Sequence, residues 1–328
     1  MTHYPKHYCG VFGVFDSNTV GRDMYLGLYA LQHRGQESAG IVSTDGERFH
    51  NHRGMGLVSQ AFNDNSLRKL LGSRAVGHNR YSTTGASTLE NVQPLMIDCK
   101  RGLLALAHNG NLTNREPLQE ALRESGAVFQ TTTDSEVMLH LLARSDKTME
   151  EAILEMMGKV TGAYSLVILT RDSLIAVRDP RGFRPLSIGK RENTWFVSSE
   201  TCAFDTLGAT LVRDVEAGEA VFIKNGTLTS VRAATTEKKA PCIFGYVYFA
   251  RPDSKVDGKL VYNARIDMGI ELAREYPIEA DVVVPILDGG TYAALGYSET
   301  LKLPLHTAYI RNHYVGRSFL SPDQNGRD

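Results

Sequence analysis

Cys9-Gly10-Val11-Phe12-Gly13-Val14-Phe15-Asp16 is the stretch from which the fold is read. Short, apolar, glycine-containing and stopped by an acidic residue, it describes a buried strand that begins at the cysteine itself. Just downstream, Met24, Leu28 and Leu31 share one helical face, which predicts a helix from Asp23 to about His33 running into the loop Arg34-Gly35-Gln36. Upstream, Met1 to Tyr8 carries His3, Lys6 and His7 and no apolar segment of signal-peptide length. Read without context, such a leader is a frayed terminus.

Further along, Asn114 is placed to cap a helix carrying Leu118, Ala121 and Leu122 and ended by Gly126. Thr148 and Glu151 have capping-box spacing before Ile153, Leu154 and Met157, so a second helix follows the apolar one at Val137 to Leu142. Strand signals then dominate, at Ala163 to Thr170, Leu174 to Arg178, Trp195 to Ser198 and Ala220 to Lys224, the last meeting an Asn225-Gly226 hairpin turn. Strands flanking a helical middle imply an α+β layering of helices on sheets, not regular βαβ alternation.

Texture changes at Thr235 to Ala240, a polar, lysine-containing stretch read as a domain boundary, with a first domain at 9–238 and a second at 239–328. In the second, the apolar run Ala280 to Ile286 reads as a buried strand bounded by Asp288-Gly289-Gly290. A helix to about Leu301 and a strand at Leu305 to Ile310 would complete one βαβ unit of a parallel sheet.

Composition narrows the function classes. The 36 basic and 37 acidic residues give a net charge of −1, so no overall field favours nucleic acid or an anionic membrane, and a small metabolite is the natural partner. Cys9, Cys99, Cys202 and Cys242 are dispersed, without a CxxC pair, and specify neither a zinc site nor a disulfide framework. With no run of transmembrane length, a soluble, cytoplasmic protein with reduced thiols is expected.

Five clusters carry the chemistry: Cys9-Gly10; Leu31-Gln32-His33-Arg34-Gly35-Gln36 with Gly40; Gly77-His78-Asn79-Arg80-Tyr81-Ser82-Thr83; His108-Asn109-Gly110-Asn111; and Thr132-Thr133-Asp134-Ser135-Glu136. Singly each is weak, a strand cysteine being usually a small buried hydrophobe and His-Asn-Gly-Asn usually a turn. In this order they resemble the class II glutamine amidotransferase domain, from Cys9 to roughly Val231. Within that class the resemblance is closest to the glutamine phosphoribosylpyrophosphate amidotransferase family. It is carried by Arg178-Asp179-Pro180-Arg181-Gly182-Phe183-Arg184-Pro185-Leu186, Ser199-Glu200-Thr201-Cys202-Ala203-Phe204 and Tyr248-Phe249-Ala250-Arg251-Pro252-Asp253-Ser254.

The resemblance implies an αββα sandwich of the N-terminal-nucleophile hydrolase type, followed by the start of an α/β type I phosphoribosyltransferase domain. It also implies that residues 1–8 are a removable leader, which displaces the frayed-terminus reading. Releasing ammonia from an amide needs a nucleophile, a base, an oxyanion hole and a grip on the substrate's amino-acid end. A thiol has a pKa of roughly 8.5 and an α-amino group roughly 7.7 to 8.0, so an N-terminal cysteine carries its own base. By resemblance Cys9 is the nucleophile, and the Asn109 side chain and Gly110 N–H form the oxyanion hole. Arg80 binds the glutamine α-carboxylate and Asp134 the α-ammonium, while Arg34 and Thr83 match pocket positions.

For the carboxyl-terminal part the resemblance implies a pyrophosphate-contacting loop at Asp288-Gly289-Gly290 and a loop at Arg311 to Phe319 that closes over phosphoribosylpyrophosphate, with magnesium accompanying that substrate. The family's paired aspartates are absent, so only the glutaminase half-reaction is expected of this chain. Cys242 matches a cluster-ligand position of an iron-sulfur subgroup, but one thiolate holds no cluster, and a plain buried cysteine is expected there. The implied function is conversion of glutamine and phosphoribosylpyrophosphate to 5-phosphoribosylamine, glutamate and pyrophosphate in purine synthesis, by a homo-oligomer in the complete enzyme. A stand-alone glutaminase and a catalytically silent regulatory subunit are the alternatives.

Overall fold

A computed structural model describes residues 9–81, 87–234 and 238–312, so the leader, Thr83 and most of the Arg311 to Phe319 segment lie outside the described residues. The chain forms two compact units that meet in sequence between Pro241 and Cys242.

In the first unit the described strands are β1 (Gly10–Phe15), β2 (Ser38–Thr44), β3 (Phe49–Met55), β4 (Arg74–Arg80), β5 (Leu95–Cys99), β6 (Gly102–Leu112), β7 (Gly162–Leu169), β8 (Ser173–Arg178), β9 (Ser187–Arg191), β10 (Thr194–Ser198), β11 (Thr210–Asp214), β12 (Glu219–Lys224) and β13 (Thr227–Arg232). They make two antiparallel sheets, ordered β11-β9-β10-β1-β4-β2-β3 and β13-β12-β8-β7-β6-β5. Along β1 side chains alternate faces, as the pleat requires. Val11 and Phe15 point at the second sheet, into a core with Ala105, Ala107, Val167, Leu169 and Leu174. Phe12 and Val14 point outward, beneath Met24 and Leu28 of the helix Val20–Ala30 and Phe204 of the helix Cys202–Leu207. This two-sided burial is why β1 reads as one apolar run. Each such side chain contributes about 1.5–3 kcal/mol.

The second sheet is covered likewise, Leu104, Leu106, Leu166 and Ile168 packing under Met138, Leu142, Ile153 and Met156 of the helices Ser135–Arg144 and Met149–Lys159. The result is the expected αββα sandwich. Its layers approach so closely at Gly13 that an added Cβ would lie 2.8 Å from Val167 Cγ1 and 3.1 Å from Leu174.

Several local readings hold. Thr148 Oγ1 accepts from Glu151 N at 3.2 Å while the Glu151 carboxylate accepts from Thr148 N at 3.0 Å. Asn225 and Gly226 both adopt positive φ, 50° and 71°, as a tight β12–β13 hairpin requires. Others are corrected. The helix expected from Asp23 starts at Val20, because Asp23 is an interior residue whose carboxylate accepts from Ser17 Oγ at 2.7 Å and Arg191 at 2.8 Å. Asn114 occupies the cap position, yet its side chain instead bonds Lys159 O and Thr161 N. His108-Asn109-Gly110-Asn111, a turn when read alone, lies inside β6.

In the second unit the helices Val261–Glu275 and Thr291–Leu301 pack on each other. The two flanking parallel strands expected at Ala280 to Ile286 and Leu305 to Ile310 are reduced to one bridge, Val283 with Leu305, secured by Val283 N to Pro304 O and His306 N to Val283 O. Pro285 and Pro304 have no N–H to extend that ladder, and Ile286 and Ile310 are 70% and 90% exposed, so the first segment is not a buried strand. Cys242 is half-buried, not buried as expected. Among the described residues no helix is long and apolar enough to cross a membrane.

Candidate active site

The ends of the two sheets are matched by two bonds far from Cys9. Arg74, opposite Phe15, donates to Arg171 O in the β7–β8 turn, and Trp195, also opposite Phe15, donates to Gly226 O in the β12–β13 turn. The other end of the sandwich therefore carries the start of β1 together with the end of β4, the start of β2, and the paired ends of β6 and β7. Four of the five sequence clusters supply those strand ends, and the fifth, Thr132 to Glu136, is tied to them through Asp134.

Cys9 immediately precedes β1 and is 7% exposed. Its Sγ accepts from Tyr81 N at 3.4 Å and lies 3.5 Å from Tyr81 O, just past the end of β4. Burial pushes the thiol up to about 11, against the Tyr81 bond and the cations Arg80 and Arg34, and with the help of Glu37. At neutral pH it is a protonated thiol, so reactivity there requires a base.

Gly110 and Asn109 sit where β6 has lost one neighbour, since β5 pairing ends at Leu95 with Leu106. The N–H groups of His108 and Leu112 both turn away from β7, to Gln93 Oε1 at 2.7 Å and Asp134 Oδ2 at 2.8 Å. Strand alternation turns the Gly110 N–H the same way. Consistently, the residue opposite Gly110 is Tyr164, whose own N–H and C=O are both engaged by Asp179 on the far side. Gly110 has φ 153°, and a Cβ there would sit 1.9 Å from Ala163 O, so only glycine keeps this backbone. The Asn109 amide is fully buried, and neither its nitrogen nor its oxygen has a hydrogen-bond partner among the described residues. Leaving such a group unsatisfied costs about 1–3 kcal/mol, which is the mark of a group kept for a ligand.

Arg80 closes β4, 3% exposed, with Nη1 donating to Glu37 Oε1 at 2.7 Å. Asp134 precedes the helix Ser135–Arg144 but does not cap it. Besides accepting from Leu112 N, it lies 3.6 Å from His108 Nδ1. Burial alone would raise the Asp134 pKa, but His108 and the Leu112 N–H outweigh it and hold the carboxyl below the ordinary range. Arg34, 2% exposed, donates from Nε to Cys9 O at 3.0 Å and from Nη1 to the fully buried Glu200. Thr83 lies outside the described residues. Among the described residues no group of three or more His, Cys, Asp or Glu could hold a metal.

Sequence reasoning missed three supports. Glu37 holds Arg80, and Gln93 ties His108 N to Ser135 Oγ. His78 crosses from sheet to sheet by donating Nε2–H, the tautomer its partner demands, to His108 O at 3.0 Å. Glu37 and His78 lie beside or in a quoted motif and Gln93 lies in none, and only the crossing of strands shows whom each serves.

Facing sheets between helical layers, with a thiol at the head of an inner strand, define a protein of the N-terminal-nucleophile hydrolase fold class. Residues 78–206 match the family described as a glutamine amidotransferase domain. The chain is 48% identical over 327 residues to the amidophosphoribosyltransferase of Rhizobium etli, which covers 97% of this chain and 66% of that protein. With that of Methanocaldococcus jannaschii it shares 45% over 342 residues, 98% of this chain and 72% of the other. Among solved structures it is similar to a glutamine phosphoribosylpyrophosphate amidotransferase from Bacillus subtilis complexed with ADP and GMP. The TM-score is 0.89 at 44% identity, over 97% of this chain and 70% of that one. The chain belongs to the amidophosphoribosyltransferase family, in which a glutamine amidotransferase domain is fused to a phosphoribosyltransferase-like domain.

Proposed function

We propose that this chain takes ammonia from glutamine at Cys9, the half-reaction expected of it, and that ammonia so released serves the family's reaction, in which it displaces pyrophosphate from phosphoribosylpyrophosphate to give 5-phosphoribosylamine. The observation that carries the first half is the buried, unpartnered Asn109 amide at the same end of the sandwich as the Cys9 thiol. Arg80 takes the glutamine α-carboxylate and Asp134 the α-ammonium, which lays the side-chain amide toward Cys9. Sγ attacks the amide carbon, and the oxygen that becomes negative is received by Asn109 Nδ2 and the Gly110 N–H. Collapse expels ammonia and leaves a thioester, and water then cleaves it to glutamate and restores the thiol.

The proton must pass from thiol to leaving nitrogen through a base. The α-amine of Cys9 supplies it once residues 1–8 have been removed, because an acylated nitrogen is no base. Arg34, bonded to Cys9 O, acts here on the nucleophile's backbone.

The second half belongs to the phosphoribosyltransferase-like unit. Asp288, held by Arg311, opens the turn leading into the helix Thr291–Leu301, and, with Thr291 N donating to Asp288 O, the Tyr292 and Ala293 N–H groups of that helix are suited to the pyrophosphate of the magnesium-bound substrate. The experiment is intact-mass analysis combined with separate assays of glutamate and pyrophosphate. A chain beginning at Cys9 that releases glutamate, and a Cys9→Ala variant that releases none, are expected. Full glutaminase activity in Cys9→Ala overturns the reading.

A further inference from the structure

The motif Ser199-Glu200-Thr201-Cys202 remains unused by this chemistry, yet it closes on the first residues of β1. Opposite Phe12, β10 ends at Ser198, and the next residue completes the ladder with its side chain as well as its backbone. Ser199 N donates to Val11 O at 3.0 Å, and Val11 N donates to Ser199 Oγ at 3.0 Å. Continuing that register brings Glu200 beside Gly10, one residue from the nucleophile. Glu200 is fully buried, as are Ser198 and Ser199. Its carboxylate accepts from Arg34 Nη1 and from His33 Nε2 at 2.9 Å, with Cys202 Sγ 3.8 Å away. The same Arg34 donates through Nε to Cys9 O.

Burying a carboxylate and a guanidinium is costly, and such a pair seldom stabilises a fold more than apolar side chains of the same size would. Its retention one residue from the nucleophile therefore calls for another role. We propose that Glu200 is a positioning residue for Cys9: by holding Arg34 it fixes the Cys9 carbonyl, aims the thiol, and neutralises a cation that would otherwise oppose protonation of the Cys9 amine. This rests on the reading of Cys9 as the nucleophile. Arg34, Arg80 and Glu37 act on Cys9 directly and Glu200 acts through Arg34, so removal of any one tips the balance at the amine.

The test is the rate at which an electrophilic chloroketone analogue of glutamine labels Cys9 in the processed chain, followed by mass across the pH range. Glu200→Gln should slow labelling about tenfold or more and move the acid limb of the profile down by about half a unit to one unit, because Arg34 is left uncompensated. Glu200→Asp, which keeps the charge, should keep the limb while losing part of the rate. Arg34→Met should move the limb upward, and the double variant should return it to the parental pH without restoring the rate. His33→Gln should leave the limb in place, separating the titration of His33 from that of the amine. A Glu200→Gln protein with the parental limb overturns the proposal even if the rate falls, since loss of structure alone lowers rate without moving a pKa. If Glu200→Gln does not fold, the Arg34→Met limb decides: an upward shift supports the proposal and no shift overturns it. Failure of the parental chain to label at Cys9 would count instead against the reading of Cys9 as nucleophile.

Discussion

At the scale of the residue, the proposed mechanism separates groups that bind from groups that act only as charge develops. In that proposal the ionic Arg80 and Asp134 take the two ends of glutamine, whereas the Asn109 amide waits unpartnered. We expect Asn109→Ala to lower kcat for glutamine hydrolysis by about 10²–10³ with KM little changed, as loss of one oxyanion donor does. Arg80→Lys should mainly raise KM, because an ammonium cannot reproduce the fork a carboxylate pairs with. Steady-state kinetics of the two proteins decide the matter, and parallel effects on KM would refute the division of roles. His78 offers a different readout. Burial drives its pKa down from 6.5 to about 3, opposed by its bond to His108 O and aided by Arg80 and His108. Between those values the unfolded chain binds a proton that the folded chain refuses. Stability contributed by the neutral imidazole is thus present above pH 6.5 and is lost as pH falls toward 3, at up to about 1.4 kcal/mol per pH unit. Urea unfolding at several pH values should show this slope, and His78→Gln should flatten it.

At the scale of the element, β1 is the strand that both sheets and the outer helices depend on. Gly13 faces Val167 and Leu174 with no room for a methyl group. Gly13→Ala should overpack the inter-sheet core and cost about 1–3 kcal/mol. Since one kcal/mol shifts Tm by roughly 2–4 °C in a unit of this size, a melting curve detects it, and an unchanged Tm would show that the layers can separate freely. The helix Met149–Lys159 begins as its capping box requires because that signal is complete within four neighbouring residues. By contrast β2, β4 and β6 were not read as strands. Ser38-Ala39-Gly40 and Gly77-His78-Asn79-Arg80 are too small or too polar to alternate, and their burial comes from strands distant in sequence.

At the scale of the whole molecule, the groups proposed for glutamine hydrolysis all lie in the first unit, immediately before β1, on β4 and β6, and just before the helix Ser135–Arg144. A protein comprising residues 9–241 should therefore hydrolyse glutamine with a kcat within about tenfold of the full chain, and release no pyrophosphate. Loss of glutaminase in a folded protein of that length would assign part of the first site to the second unit.

From sequence alone came the cysteine that heads the core strand, the capping box and the hairpin, because each depends on residue types within a few positions of one another, and the kind of chemistry, which rests on the five clusters taken together. The order of the five clusters was likewise legible. What tertiary structure decided is which end of the sandwich they share, and it did so through Arg74 and Trp195, residues with no part in the chemistry. It also decided that His-Asn-Gly-Asn is strand, since the missing β5 neighbour that opens the Gly110 N–H is a property of the sheet. The partners of Arg34 and Arg80 were hidden for the same reason. Glu200 is 166 positions from Arg34 and Glu37 is 43 from Arg80, and a charge finds its counter-ion by burial and strand register, which no local pattern of residues encodes.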